Sequence, residues 1–131
     1  MKSLVIDDDK AFRGLLQKIL SEFGTCHTAY DGEEGINAFR IALEDGDPYD
    51  YIFVDLVMPH MDGHQVLETI RLIERRRGIM GSDGVKIVVT TAKEDAEACF
   101  RAYREGCDYF LVKPIQRADV VECLRELDAP V

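Results

Sequence analysis

The amino-acid sequence predicts an α/β domain in three layers, a parallel sheet covered by helices on both faces. Two observations carry this expectation. Five short β-branched runs alternate with five helical patterns along the chain, and polar residues gather immediately after the apolar runs. Strand-then-helix units repeated in so short a chain imply parallel strands joined by right-handed crossovers, with helices on each side of the sheet. Length agrees. At 131 residues the chain suits one domain, with a folded surface of roughly 7,000 Å² and about two thirds of the extended surface buried.

The strand candidates, in order, are Ser3 to Ile6, Cys26 to Ala29, Tyr51 to Val54, Val85 to Thr90 and Tyr109 to Val112. The first helical segment places Phe12, Leu15, Leu16, Ile19 and Leu20 at the spacing of one helical face. The second starts near Asp31, carries Ile36, Phe39 and Leu43, and ends before the acidic stretch from Glu44 to Pro48. The third presents Val66, Leu67, Ile70 and Ile73, and the fifth Val120, Val121, Leu124 and Leu127. The fourth runs from about Glu94 to Glu105 with Cys99, Ala102 and Tyr103 inward and Gly106 as its stop; its small alanines make it the weakest apolar face. A glycine-rich segment from Gly78 to Gly84 reads as the one flexible loop. Only Asp128 to Val131 follow the last helix, so the expectation is a single domain over 1–131 with no attached output domain.

Composition narrows the function. The chain is 47% hydrophobic and 31% charged, which is globular, and its net charge of −9 disfavours nucleic acid and anionic membrane as partners. No apolar stretch approaches the roughly 18 residues of a membrane span, and nothing resembles a signal peptide. Cys26, Cys99, Cys107 and Cys123 sit at irregular spacing inside ordinary core patterns, so they read as reduced thiols of a cytoplasmic protein.

In open parallel sheets, ligands bind outside the carboxyl ends of the strands. Strand one is followed there by Asp7, Asp8 and Asp9, strand three by Asp55, strand four by Thr91, and strand five by Lys113 and Pro114. Asp9 reads as the cap of the next helix. The remaining carboxylates would repel one another unless a cation held them, and oxygen-only ligation with room for water suits Mg²⁺. A divalent ion and a lysine also neutralise an incoming phosphoryl group, and a carboxylate on the same ion can act as its nucleophile, giving an acyl phosphate. Asp55, alone among apolar neighbours, is the candidate nucleophile.

Four segments carry a family resemblance: LVIDDD at 4 to 9, DLVMPHMDG at 55 to 63, VVTTAKED at 88 to 95 and GCDYFLVKP at 106 to 114. In this order and spacing they resemble the receiver domain of two-component response regulators, the chemotaxis-regulator-like fold, from Lys2 to about Leu127. The resemblance implies a doubly wound, flavodoxin-like (βα)5 sandwich with strand order 2-1-3-4-5. It implies phosphoryl transfer to Asp55 from a phosphohistidine on a sensor histidine kinase or a histidine phosphotransfer protein. By the same resemblance Asp7 and Asp8 hold Mg²⁺ together with Asp55 and the backbone carbonyl of Val57. Thr91 matches the switch hydroxyl, Lys113 the lysine that pairs with the phosphoryl oxygens, and the Lys113–Pro114 bond is expected to be cis. Phe110 matches the switch aromatic, without the hydroxyl of a tyrosine. Val57 and Lys93 occupy the two positions that tune the lifetime of the acyl phosphate. Signalling then passes by docking to a downstream protein, through the face made by helix four, strand five and helix five, or onward along a phosphorelay.

The runner-up is a haloacid-dehalogenase-like phosphohydrolase, because Asp7 and Asp9 form a DxD after strand one; that family places Thr or Val four residues beyond its nucleophile, and this chain has Ala11. A degenerate, non-phosphorylated receiver is disfavoured because the acids, threonine and lysine are all present. A flavin site is disfavoured because acids after strand one would repel a phosphate. His60 and His64 straddle a turn and read as surface histidines rather than a metal pair, and Arg71, Arg75, Arg76 and Arg77 as the solvated end of a helix. Met58 and Met61 read as loop packing.

Overall fold

A computed structural model describes residues 1–92 and 96–129, apart from the side chains of Ala96 and Cys99. Five strands alternate with five helices: β1 (Lys2–Ile6), α1 (Lys10–Leu20), β2 (Thr25–Ala29), α2 (Gly32–Glu44), β3 (Tyr51–Asp55), α3 (Gly63–Arg76), β4 (Lys86–Thr91), α4 (Ala96–Arg104), β5 (Tyr109–Val112) and α5 (Arg117–Glu126). The sheet is wholly parallel in the order β2-β1-β3-β4-β5, so the chain reverses its direction of travel across the sheet after β2. That reversal sets β1 and β3 side by side and opens the crevice where ligands of such sheets bind.

Alternation along each strand divides the core in two. Leu4, Ile6, Ile52, Val54, Ile87 and Val89 face one way, against Phe39, Leu67, Ile70 and Ala102 of α2, α3 and α4. Val5, Phe53, Val88 and Leu111 face the other, against Leu16, Leu20, Val120 and Leu124 of α1 and α5. Because both faces are covered, β3 is buried at every position, which explains its continuous apolar run. The folded surface is 7107 Å². No helix among the described residues is long and apolar enough to cross a membrane.

Three of the helices, α1, α2 and α3, start at a capping carboxylate. Asp9 accepts from the N–H groups of Ala11 and Phe12, Asp31 from Glu34, and Asp62 from Gln65 with the reciprocal bond of a capping box. At the far end of α4, Gly106 takes φ of +105°, a conformation that favours glycine and that lets the chain turn into β5. The segment expected to be a flexible loop carries a 3₁₀ turn at Gly81–Asp83.

Four side-chain expectations need correction. Leu15 is 48% exposed and Tyr103 is 50% exposed. At about 100° per residue each lies a quarter-turn or so from the centre of the buried stripe, Leu16–Ile19–Leu20 in one helix and Ala102 in the other, where a flat sheet no longer reaches. His64 is buried, not a surface residue: its Nδ1 bonds Glu105 Oε1, joining the start of α3 to the turn after α4. Arg71 is not a solvated helix end. Its guanidinium donates to the carbonyls of Gly106 and Val85 and to the carboxylates of Glu74 and Asp108, tying α3 to the starts of β4 and β5. Arg75, Arg76 and Arg77 are exposed as expected. Cys26, Cys107 and Cys123 are buried free thiols; Cys99, expected inward, lies outside the described side chains, and Glu94 outside the described residues.

Candidate functional site

The ends of β1 and β3 are neighbours in register, Ile6 opposite Val54, so the next residues along each strand bring Asp7 and Asp55 to one edge. Carboxylate oxygens of Asp7, Asp8 and Asp55 lie within 4.8 Å of one another. Asp7 and Asp55 are buried and Asp8 is exposed, which leaves the cluster open to solvent on one side. Lys113 reaches in from the end of β5, its Nζ 3.0 Å from Asp7 Oδ2 and 3.4 Å from Asp55 Oδ2. Thr91 closes β4 beside them, buried at 2% exposure, and its carbonyl accepts the Lys113 N–H at 2.7 Å. The Lys113–Pro114 bond is cis.

Local bonds hold the two buried acids in place. Asp7 Oδ1 accepts the Asp9 N–H at 2.8 Å, and Arg13 donates to the Asp7 carbonyl at 2.8 Å. The other carboxylate oxygen of Asp7, Oδ2, faces Lys113, so Asp7 is engaged at both oxygens. Asp55 Oδ1 accepts the Val57 N–H at 3.2 Å. Burial pushes the Asp55 carboxyl above its ordinary value; the Val57 N–H and Lys113 oppose the rise, and the Asp7 charge adds to it. Burial alone would lower Lys113, but the Asp7 hydrogen bond and the charges of Asp55 and Asp7 outweigh it and hold the ammonium above its ordinary value. Three carboxylates facing one ammonium are short of positive charge, and an all-oxygen donor set with one solvent-facing member fits a small hard cation such as Mg²⁺.

Phe110 is partly buried and packs against the α2–α3–α4 core, one strand over from Val89. Val57 is 61% exposed on the loop that leaves the site. Leu56, Val57, Met58, Asp62, His64, Thr91 and Ala98 line a depression of about 280 Å³ beside the acids. Met58 is buried and Met61 packs against the core, as loop packing requires. Lys93 lies outside the described residues.

Two participants were not read from sequence as parts of the site. The Phe12 ring, assigned only to the core face of α1, has Lys113 Nζ 4.1 Å from its centroid. Gly63 starts α3 so close to the strand that a Cβ there would stand 2.3 Å from the Asp55 carbonyl oxygen. The glycine in the DLVMPHMDG segment was a visible signal; nothing local links Phe12 to a lysine about a hundred residues away.

A family model described as the response regulator receiver domain matches residues 3–125. The chain belongs to that family. It is 37% identical over 129 residues to hybrid signal transduction histidine kinase L of Dictyostelium discoideum, covering 95% of this chain but 7% of that protein. It is 31% identical to the transcriptional regulatory protein GlnL of Bacillus subtilis, covering 97% of this chain and 37% of the relative. The chain therefore spans a minor part of these curated relatives. Among solved structures, the Vibrio cholerae chemotaxis protein CheY4 superposes with a TM-score of 0.81 at 24% identity, covering 96% of this chain and 97% of that one. The receiver domain of the Arabidopsis thaliana histidine kinase CKI1, complexed with Mg²⁺ and BeF3⁻, does so with a TM-score of 0.80 at 25% identity, covering 97% and 89%. The family match supports a phosphoryl-accepting receiver and gives no support to the phosphohydrolase reading.

Proposed function

We propose that Asp55 accepts a phosphoryl group from a phosphohistidine on a sensor histidine kinase or a histidine phosphotransfer protein. A carboxylate oxygen of Asp55 bonds to phosphorus while the P–N bond breaks, and the departing imidazole nitrogen keeps the electron pair. Asp7, Asp8 and Asp55, with the Val57 carbonyl, would hold Mg²⁺, which supplies charge neutralisation at the phosphoryl oxygens. Lys113 shifts an N–H from carboxylate to phosphoryl oxygen, and the Thr91 hydroxyl donates to another. Phe110 then moves into the space that Thr91 leaves, and the ends of β4 and β5 carry the change to the face formed by α4, β5 and α5. The chain promotes only its own phosphorylation and dephosphorylation; its output is a change in docking to partner proteins. Its acidity supports protein partners over nucleic acid or anionic membrane.

The observation that carries this reading is the convergence of Asp7, Asp8 and Asp55 with Lys113 within 3.4 Å of two of them. Intact-mass measurement after incubation with acetyl phosphate and Mg²⁺ tests it. A single phosphoryl adduct is expected on the wild type and none on Asp55→Asn; an adduct retained by the variant refutes the assignment.

A further inference from the structure

We propose that Phe12 is a positioning residue: its ring face holds the Lys113 ammonium beside Asp55 while that lysine exchanges carboxylate oxygens for phosphoryl oxygens. The inference rests on Asp55 being the phosphoryl acceptor. Its basis is the 4.1 Å separation of Lys113 Nζ from the Phe12 ring centroid, well inside the roughly 6 Å over which a cation is drawn to an aromatic face.

Phe12 is itself held. Its backbone N–H bonds Asp9 Oδ1 at 3.3 Å as part of the helix cap, and its side chain packs on the α1–α5 core. The ring is therefore carried by the rigid first turn of α1, a few residues after the acids of β1. Lys113 is a flexible point charge with three donors. Two of them are engaged by Asp7 and Asp55 at 3.0 and 3.4 Å. The second of these bonds ends on the carboxyl group that the reaction consumes. When the Asp55 bond is given up, the Asp7 bond is the one carboxylate anchor that remains on the ammonium. The ring attracts the charge itself and specifies no N–H direction, so it keeps the ammonium in the pocket while its hydrogen bonds are redistributed. The side chain of Lys113 is 19% exposed, and this partial desolvation strengthens the attraction.

Fluorinated phenylalanines at position 12 provide the test, because successive fluorines weaken the negative ring face with little change in shape. Acetyl phosphate with Mg²⁺ serves as phosphodonor, and adduct formation at Asp55 is followed by intact mass. The rate is expected to fall stepwise with fluorine number, by roughly 3- to 10-fold across the series, at an unchanged unfolding midpoint. Phe12→Leu should lose a similar factor and Phe12→Tyr should keep the rate. NMR of the Lys113 ε-methylene should show an upfield ring-current shift in the wild type that Phe12→Leu lacks. A rate independent of fluorination, or no ring-current shift, overturns the role of Phe12 while leaving Asp55 phosphorylation intact. Absence of any adduct on the wild type, with the ring-current shift present, overturns the phosphoacceptor reading and this proposal with it.

Discussion

Replacing Gly63 by alanine adds one methyl group at the point where α3 meets the end of β3, and should disturb stability and chemistry together. The new Cβ would lie 2.3 Å from the Asp55 carbonyl oxygen, 2.7 Å from Leu56 Cα and 2.9 Å from the Asp55 carbonyl carbon. All three are backbone atoms, so no side chain can swing aside. Opening the tightest contact from 2.3 Å to even 3.0 Å takes a shift of about 0.7 Å at the residue proposed to receive the phosphoryl group. The shift also works against the bond from the Gly63 N–H to the Leu56 carbonyl at 3.0 Å. Overpacking of this kind costs about 1–3 kcal/mol, and alanine returns less than ~1 kcal/mol through helix propensity in a first turn. A net loss of about 1–2 kcal/mol should lower Tm by roughly 3–8 °C. Displacing a reacting group by nearly 1 Å costs up to ~100-fold in rate, so a 10- to 100-fold slower adduct formation at Asp55 is expected. Gly14→Ala is the control: it lies exposed in α1 with nothing within 4 Å of its would-be Cβ, and it should gain about 0.5–1 kcal/mol. Thermal unfolding and intact-mass kinetics read both variants. A Gly63→Ala protein with wild-type Tm and a phosphorylation rate within about twofold refutes the close-approach argument.

Three further outcomes follow from particular contacts. Arg71→Met strips Glu74, whose side chain is 5% exposed, of its only cationic partner among the described residues and leaves the Gly106 and Val85 carbonyls short of a donor; it should cost about 3–5 kcal/mol in urea unfolding, little of it recovered in Arg71→Met/Glu74→Met, because Glu74 Oε2 also accepts the buried Val85 N–H at 2.7 Å. Burial pushes the Cys123 thiol up to about 12 from 9.0, so the folded state keeps a proton that the unfolded chain gives up. Stability should therefore fall as pH rises from 9.0 toward 12, less so in Cys123→Val, and Cys123 should resist iodoacetamide at pH 8 until the protein unfolds. If native protein alkylates there at the rate of a free thiol, the burial argument is wrong. Val57 is 61% exposed, so Val57→Asn should keep the fold, and by helping to orient an attacking water it should shorten the half-life of the acyl phosphate; an unchanged half-life counts against that reading.

Much of the architecture is written locally. Short β-branched runs and period-3.6 stripes mark all five strands and all five helices, the strand boundaries to within a residue, because each element buries residues at a spacing its own geometry imposes. The acids, threonine and lysine stand out for a related reason: a polar residue directly after a fully buried strand has no part in the core, so its presence there marks a site. The order of the strands came by resemblance rather than periodicity, since a parallel strand carries no local record of its neighbour.

Side-chain fates were a different matter. His64 reads as solvated from the turn that separates it from His60, and Arg71 from the arginines that follow it at a helix end, yet both are committed to partners after α4. Leu15 and Tyr103 fit an apolar stripe and are still exposed, because the sheet covers a narrower arc than the stripe spans. Phe12 fits its stripe as well, and only the folded chain shows that the same ring stands over the Lys113 ammonium. Apolar periodicity is a local consequence of one element meeting one surface, and the order of residues along the chain reveals which face turns inward, though not how wide an arc is covered. Pairings between groups tens of residues apart depend on how the crossovers bring separate elements together, and that is decided by packing in three dimensions.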